Sequence, residues 1–78
     1  MVTASETEWQ TAAKNLLKGE LARRGVSYRD LTERLAKIGV HENERNLANK
    51  ISRGGFTAVF LLQVMRAIEA REIRLEPL

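Results

Sequence analysis

The chain of 78 residues contains no cysteine and a single histidine, His41. Without cysteine, neither a disulfide framework nor a thiolate metal site can form, and one imidazole cannot make a zinc site alone. His41 lies near Glu42 and Glu44, but no nucleophile–base pair or glycine-rich phosphate loop accompanies them. The sequence therefore predicts a protein that is not an enzyme, with no catalytic residue, metal, cofactor or small-molecule substrate.

Long apolar runs are also absent. The longest, residues 58–62, is far too short to span a bilayer, and the polar, acidic start does not resemble a signal peptide. We therefore expect one small cytoplasmic domain that does not contact a membrane. Aromatic residues make up only 5% of the chain and form no stacking platform, which makes RNA the less favoured nucleic acid.

Positive charge is concentrated in the middle of the chain. Residues 14–53 carry ten Lys or Arg against five Asp or Glu, an excess of five, whereas the whole chain has a net charge of +3. A basic segment of this kind is typical of proteins that bind a polyanion. Ordinary solvated surfaces can have a similar charge, so the count does not decide the function by itself.

Capping residues and apolar spacing predict four helices at roughly 7–24, 28–38, 43–53 and 57–70. The predicted caps are Ser5, Ser27, Asn43 or a neighbour, and Thr57, and glycines at 25, 39 and 54 end the first three helices. The tail alternates apolar and polar residues, so it could form a short strand or a frayed helical end. The predicted fold class is all-α, a compact four- to five-helix bundle.

The predicted domain limits are a flexible N-terminus at 1–6, a helical domain at 7–70, and a tail at 71–78 that either mediates dimerisation or covers the core. The predicted core consists of Leu17, Leu21, Leu31, Leu35, Leu47, Ile51, Leu61, Met65 and Ile68. Val59 and Phe60 lie off the apolar face of the fourth helix, and Trp9 is another large apolar side chain without an assigned place in the core. These side chains need cover from the first helix, from the tail or from a second copy.

The third helix displays mainly polar and basic residues. At 100° per residue, Leu47, Ala48 and Ile51 share one arc that faces a core. The residues outside that arc include Arg45, Asn46, Asn49, Lys50 and Arg53. In the major groove Arg and Lys pair with guanine, Asn pairs with adenine, and all three reach phosphates. The pattern favours a nucleic-acid-binding helix, and a solvated basic face is the alternative.

Three stretches within residues 17–68 resemble the lambda-repressor-like (Cro-type, Xre) helix-turn-helix family. They are L-x-x-x-L-A-R-R-G-V-S-Y-R-D-L, L-A-N-K-I-S-R-G-G and F-L-L-Q-V-M-R-A-I. In that family the first includes a helix that ends in Gly and is followed by Ser, the second is the recognition helix, and the third closes the core. The whole chain is also similar to a small bacterial domain family of unknown function. The resemblance implies a helix-turn-helix domain at 7–70.

The resemblance also implies roles for individual residues. Arg45, Asn46 and Lys50 of the third helix would meet base edges. The start of the second helix, with Tyr28, would meet phosphate. We predict the same roles for neighbours on these surfaces. The predicted base-reading residues are Arg45, Asn46, Asn49 and Lys50. The predicted phosphate-contacting residues are Ser27, Tyr28, Arg29 and Arg53.

The segment that leads to the third helix is longer than in that family. From Leu31 to Ala48 there are 17 positions, about six more than that family usually needs, and a helix-turn-helix normally has a turn of about three or four residues. The predicted function is that of a DNA-binding protein, a small homodimeric transcription regulator that pairs through its C-terminal half. The alternative is a protein-interaction module, adaptor or antitoxin-like, on a helix-turn-helix scaffold without sequence-specific DNA binding. The extended turn and the modest net charge favour that alternative.

Overall fold

Four α-helices joined by short links make up the fold. The computed structural model describes residues 5–75, and its helices are α1 (Glu6–Arg24), α2 (Tyr28–Lys37), α3 (Glu44–Arg53) and α4 (Ala58–Ala67). No strand occurs within this range. The all-α class and the four helices are confirmed, and every helix begins within one residue of its predicted start.

Each helix begins at a side chain that accepts a hydrogen bond from the first turn. The side-chain oxygens of Ser5, Ser27, Asn43 and Thr57 accept from the backbone N–H three residues further on. Such a cap satisfies one of the donors that a helix start leaves without a partner, and it stabilises a helix by about 1 kcal/mol. At α2 the Asp30 carboxylate also accepts from the backbone N–H of Ser27, at 3.2 Å. This completes a capping box.

Glycine in the left-handed conformation follows three of the four helices. Gly25, Gly39 and Gly54 have φ angles of 65°, 84° and 71°. After α4 the same conformation falls on Glu69, with a φ of 60°, and the N–H groups of Glu69 and Ala70 close the last turn. The predicted end of this helix at residue 70 is wrong, since α4 stops at residue 67. The sequence has no glycine there that would have indicated the end.

The core lies between α2 and the two helices that pack against it, α3 and α4, while α1 packs against α3. Its buried apolar residues are Leu17, Leu21, Val26, Leu31, Leu35, Leu47, Ile51, Phe60, Val64, Met65, Ala67 and Ile68. Every predicted core residue belongs to this set except Leu61, which is half-buried and packs against it.

The buried face of α4 differs from the predicted one. Phe60 and Val64 are buried, whereas Val59 and Leu62 are 64% and 67% exposed. Phe60 packs against Phe56 with ring centroids 5.6 Å apart, so it finds its cover within its own chain. A helix that is apolar on nearly all sides does not specify by its own periodicity which arc faces the core. The packing of α2 decides it here.

Residues 71–75 form no regular secondary structure, so the described part of the tail is neither a strand nor a fifth helix. Ile73 and Leu75 are exposed there, and Trp9 is 57% exposed on α1. Residues 1–4 of the predicted flexible N-terminus, and residues 76–78 of the tail, lie outside the described residues. None of the helices described between residues 5 and 75 is both long and apolar enough to cross a membrane.

Gly54 holds α3 against α1. A Cβ atom on Gly54 would lie 2.0 Å from the backbone carbonyl oxygen of Gln10, so only glycine fits between the end of α3 and the first half of α1. The left-handed φ of Gly54 also favours glycine at this position. This contact fixes the position of α3 and therefore the direction in which its outer face points.

Candidate nucleic-acid interface

The outer face of α3 presents a stripe of exposed polar and basic side chains. Leu47 and Ile51 anchor the opposite side in the core. Arg45, Asn49 and Arg53 follow at intervals of four residues, so each is rotated about 40° from the last and the stripe extends for about 12 Å. All three are exposed, and within residues 5–75 none of their side chains has a hydrogen bond or an ion pair.

Asn46 lies beside this stripe and is exposed as well. Its backbone N–H donates to the side-chain oxygen of the cap Asn43, at 2.8 Å. Its own amide is uncommitted within the described chain and can donate and accept at the same time. Of the four predicted base-reading residues, the structure therefore brings three together on one accessible surface: Arg45, Asn46 and Asn49.

Lys50, the fourth, is exposed as well, but its ammonium group makes contacts within the chain. Its ammonium group forms an ion pair with Glu42, in the link between α2 and α3. The same nitrogen lies 5.2 Å from the centroid of the Phe60 ring, a cation–π distance. Helical geometry explains this position, because Lys50 lies three residues after buried Leu47, about 60° from it around the helix, and so sits at the edge of the core face. Its charge is partly neutralised before any ligand arrives.

The predicted phosphate site at the start of α2 is partly occupied by the helix cap. The Ser27 hydroxyl accepts a hydrogen bond from the Asp30 N–H at 3.0 Å, and the Asp30 carboxylate accepts one from the Ser27 N–H. Tyr28 is half-buried and packs against the core. Arg29 is the exposed cation of this group. The capping box uses the N–H groups of Ser27 and Asp30 and leaves those of Tyr28 and Arg29 without a partner among residues 5–75, so an approaching anion would meet these two N–H groups, the Arg29 side chain and the Asp30 carboxylate.

The capping box also sets the charge state of Asp30. Its pKa is lowered chiefly by the hydrogen bond from the Ser27 backbone, then by the bond to the Ser27 side chain, with smaller attractions from Arg34 and Arg29. The carboxylate is thus kept ionised at the positive end of the α2 dipole, where a negative charge is favourable. It competes with phosphate for that position.

Sequence reasoning did not single out Glu20, the one buried charged side chain among the described residues. Its carboxylate pairs with Arg23 and lies 3.5 Å from the Nε of Arg24. Arg24 also donates to the carbonyl of Ile68 at 3.5 Å, which joins the end of α1 to the end of α4. The i,i+3 and i,i+4 spacing was a signal for these pairs. Both arginines are committed to the fold, so the basic excess of residues 14–53 overstates the charge available to a polyanion.

No group of three or more His, Asp or Glu in the described range could hold a metal ion.

Comparison with known proteins identifies a family but no activity. No curated protein and no solved structure shows significant similarity to the chain. A family model described as a domain of unknown function (DUF6471) matches residues 9–73. This match covers α1 to α4, and the chain therefore belongs to the DUF6471 family.

Proposed function

We propose that the protein binds double-stranded DNA with α3 in the major groove, and that it acts as a small homodimeric transcription regulator. The observation that carries this proposal is the stripe on α3. Arg45, Asn49 and Arg53 are exposed together and have no partner within residues 5–75. The resemblance of residues 17–68 to the lambda-repressor-like helix-turn-helix family supports the same assignment.

Each side chain of the stripe has a role that its chemistry suits. Arg45, in the first turn of α3, can make the two-pronged contact with the O6 and N7 atoms of guanine. Asn46 and Asn49 can each pair with the N6 and N7 atoms of adenine. Arg53 lies at the last residue of α3, where a phosphate is the expected contact. Arg29 adds a phosphate contact from α2.

In this proposal α2 and α3 act as a helix-turn-helix with an extended turn. The link between them covers residues 38–43, whereas the usual turn has about three or four residues. The Lys50–Glu42 ion pair ties this link to α3. The contact between Gly54 and Gln10 holds the other end of α3. These two contacts orient α3, as the short turn does in an ordinary helix-turn-helix.

Dimerisation is part of the proposal because one recognition helix covers only a few base pairs. Val59 and Leu62 are exposed one turn apart on α4, which supports the C-terminal half as the paired surface. A two-fold axis there would have to set the two α3 helices about 34 Å apart, one turn of DNA. We expect the wild type to sediment as a dimer and Leu62→Lys as a folded monomer. A monomeric wild type at high micromolar concentration would refute this part.

A protein-interaction module is the second candidate, and the Lys50–Glu42 ion pair favours it. The pair removes one cation from the surface that would face DNA and places a carboxylate beside it. A second carboxylate, that of the exposed Glu44, lies at the first residue of α3. On this alternative the helix-turn-helix scaffold would recognise a protein and would show no preference among DNA sequences.

The experiment is selection from a random duplex pool, followed by affinity measurements on the selected duplex. We expect one enriched motif, and Asn49→Ala should lose about 1–3 kcal/mol and relax the preference at one base pair. Asn15→Ala is the matched control, because Asn15 is an exposed asparagine on α1 outside the interface. It should bind as the wild type does. A pool without an enriched motif would support the protein-interaction alternative.

Salt dependence separates phosphate contacts from base contacts. The slope of log affinity against log salt should be roughly −3 to −6 per dimer, at about 0.9 for each neutralised phosphate. Arg29→Ala should weaken binding to all sequences alike and make the slope shallower by about 1 per subunit. A flat response in the wild type would mean that the basic stripe is only a solvated surface.

A further inference from the structure

A second charged surface lies between α2 and the end of α4. An open groove of about 1050 Å³ is lined there by residues of α2, by Ile38, and by residues between 66 and 71, with no residue of α3 among them. We call it the α2–α4 groove. The α3 stripe and the α2–α4 groove share no residue, so the groove can be argued and tested independently of whether α3 binds DNA.

Four cations converge on the α2–α4 groove: Arg34, Lys37, Arg66 and Arg71. All four are exposed, and within residues 5–75 none of them forms an ion pair or a side-chain hydrogen bond. This contrasts with Arg23, Arg24 and Lys50, each of which is paired. Three carboxylates, Asp30, Glu33 and Glu69, line the same groove, so the cations exceed them by only one. An anionic group would therefore gain from contact with individual unpaired cations rather than from a uniformly basic surface.

Glu69 lies on the same groove in a conformation that its residue type does not favour. It is the only non-glycine residue between 5 and 75 with a positive φ, and it occupies the position that glycine takes after the other three helices. A residue with a Cβ is strained in the left-handed conformation, whereas glycine is not. This conformation places a third carboxylate on the groove, which Asp30 and Glu33 also line.

The mixed charge decides between two kinds of polyanion. Asp30, Glu33 and Glu69 line the groove among the cations, and a phosphate backbone, negative along its whole length, would be repelled by all three. A peptide can present carboxylates to the cations and backbone N–H groups or a basic side chain to Glu33 and Glu69. Ile38, 43% exposed, adds an apolar contact that suits a peptide side chain. We propose that the α2–α4 groove binds an acidic peptide segment of a partner protein.

The probe is a short, fluorescently labelled oligoglutamate peptide, titrated into the full chain at low salt. Arg34→Glu combined with Arg66→Glu reverses two charges in the groove. Arg45→Glu combined with Arg53→Glu produces the same net charge change on α3, and it is the matched control. All four residues are exposed, and circular dichroism confirms helical content before binding is measured. Arg34→Gln combined with Arg66→Gln serves as a milder groove variant.

We expect saturable binding of the peptide to the wild type and to the α3 variant, and affinity lower by about tenfold or more in the groove variants, because charge-assisted contacts are lost. Equal weakening in both charge-reversed variants would show only general attraction to a basic protein and would overturn the proposal. The absence of saturable peptide binding to the wild type would overturn it too. Duplex DNA is the second probe. If the milder groove variant loses DNA binding and the peptide does not bind, the groove belongs to a DNA interface and the proposal is wrong.

Discussion

Replacement of Gly54 by alanine tests how the fold positions α3. Two costs arise at this one residue. The first is the left-handed backbone, φ 71°, which costs an alanine about 1–2 kcal/mol. The second is steric, because the new Cβ would lie 2.0 Å from the carbonyl oxygen of Gln10. Backbone atoms cannot yield as a side-chain tip can, so overpacking adds about 1–3 kcal/mol. Urea denaturation should show a total loss of about 2–5 kcal/mol, a large part of the stability of a domain this small.

Gly25→Ala is the matched control. Gly25 has a φ of 65°, but a Cβ there would meet nothing within 4 Å, so only the conformational cost applies. The difference between the two variants isolates the contact between α3 and α1, and we expect Gly54→Ala to be the worse by about 1–3 kcal/mol. Equal losses in the two variants would refute the argument that Gly54 holds α3 against α1.

Three further predictions concern stability. Leu31→Ala removes a fully buried side chain and should cost about 2–5 kcal/mol in denaturation; an unchanged midpoint would contradict the burial of α2. Glu69→Gly should stabilise the chain by about 1 kcal/mol, because glycine is at ease in the left-handed region; a loss of stability would show that the carboxylate itself holds the end of α4. The lowered pKa of Asp30 stabilises the fold above its unfolded value of about 3.9, and that contribution is lost as pH falls through the folded pKa. The stability difference between wild type and Asp30→Asn should therefore be constant near neutral pH and shrink below about pH 4; a pH-independent difference would mean that the charge of Asp30 is not involved.

Local signals made most of the fold predictable. The caps at Ser5, Ser27, Asn43 and Thr57 act within one turn of chain, so they can be recognised without knowledge of the tertiary structure. The starts of all four helices followed from the caps, and the buried residues of α2 and α3 followed from the helical spacing of their apolar side chains. The end of α4 was missed because Glu69 takes a conformation that its residue type rarely adopts.

What could not be predicted depends on tertiary packing. The arc of α4 that is buried is chosen by its neighbours, so Phe60 is inside and Leu61 only half-buried. The candidate site shows the same limit. The helical wheel placed Arg45, Asn46 and Asn49 on an exposed face, but Lys50 pairs with Glu42 from the preceding link. Nothing in the spacing within α3 indicates that partner.

The central claim is that α3 recognises DNA, and an NMR titration tests it most directly. Duplex DNA is added to isotope-labelled protein, and the shifts of the backbone amide signals are measured. Nonspecific phosphate contacts already bring such proteins onto DNA, so a mixed-sequence duplex at low salt is sufficient. We predict that the largest shifts fall on residues 45–53 of α3 and on Arg29, and that Lys50 shifts together with Glu42 as their ion pair adjusts. Shifts confined to the α2–α4 groove, or no saturable shifts at all, would contradict the assignment of α3 as a DNA-recognition helix.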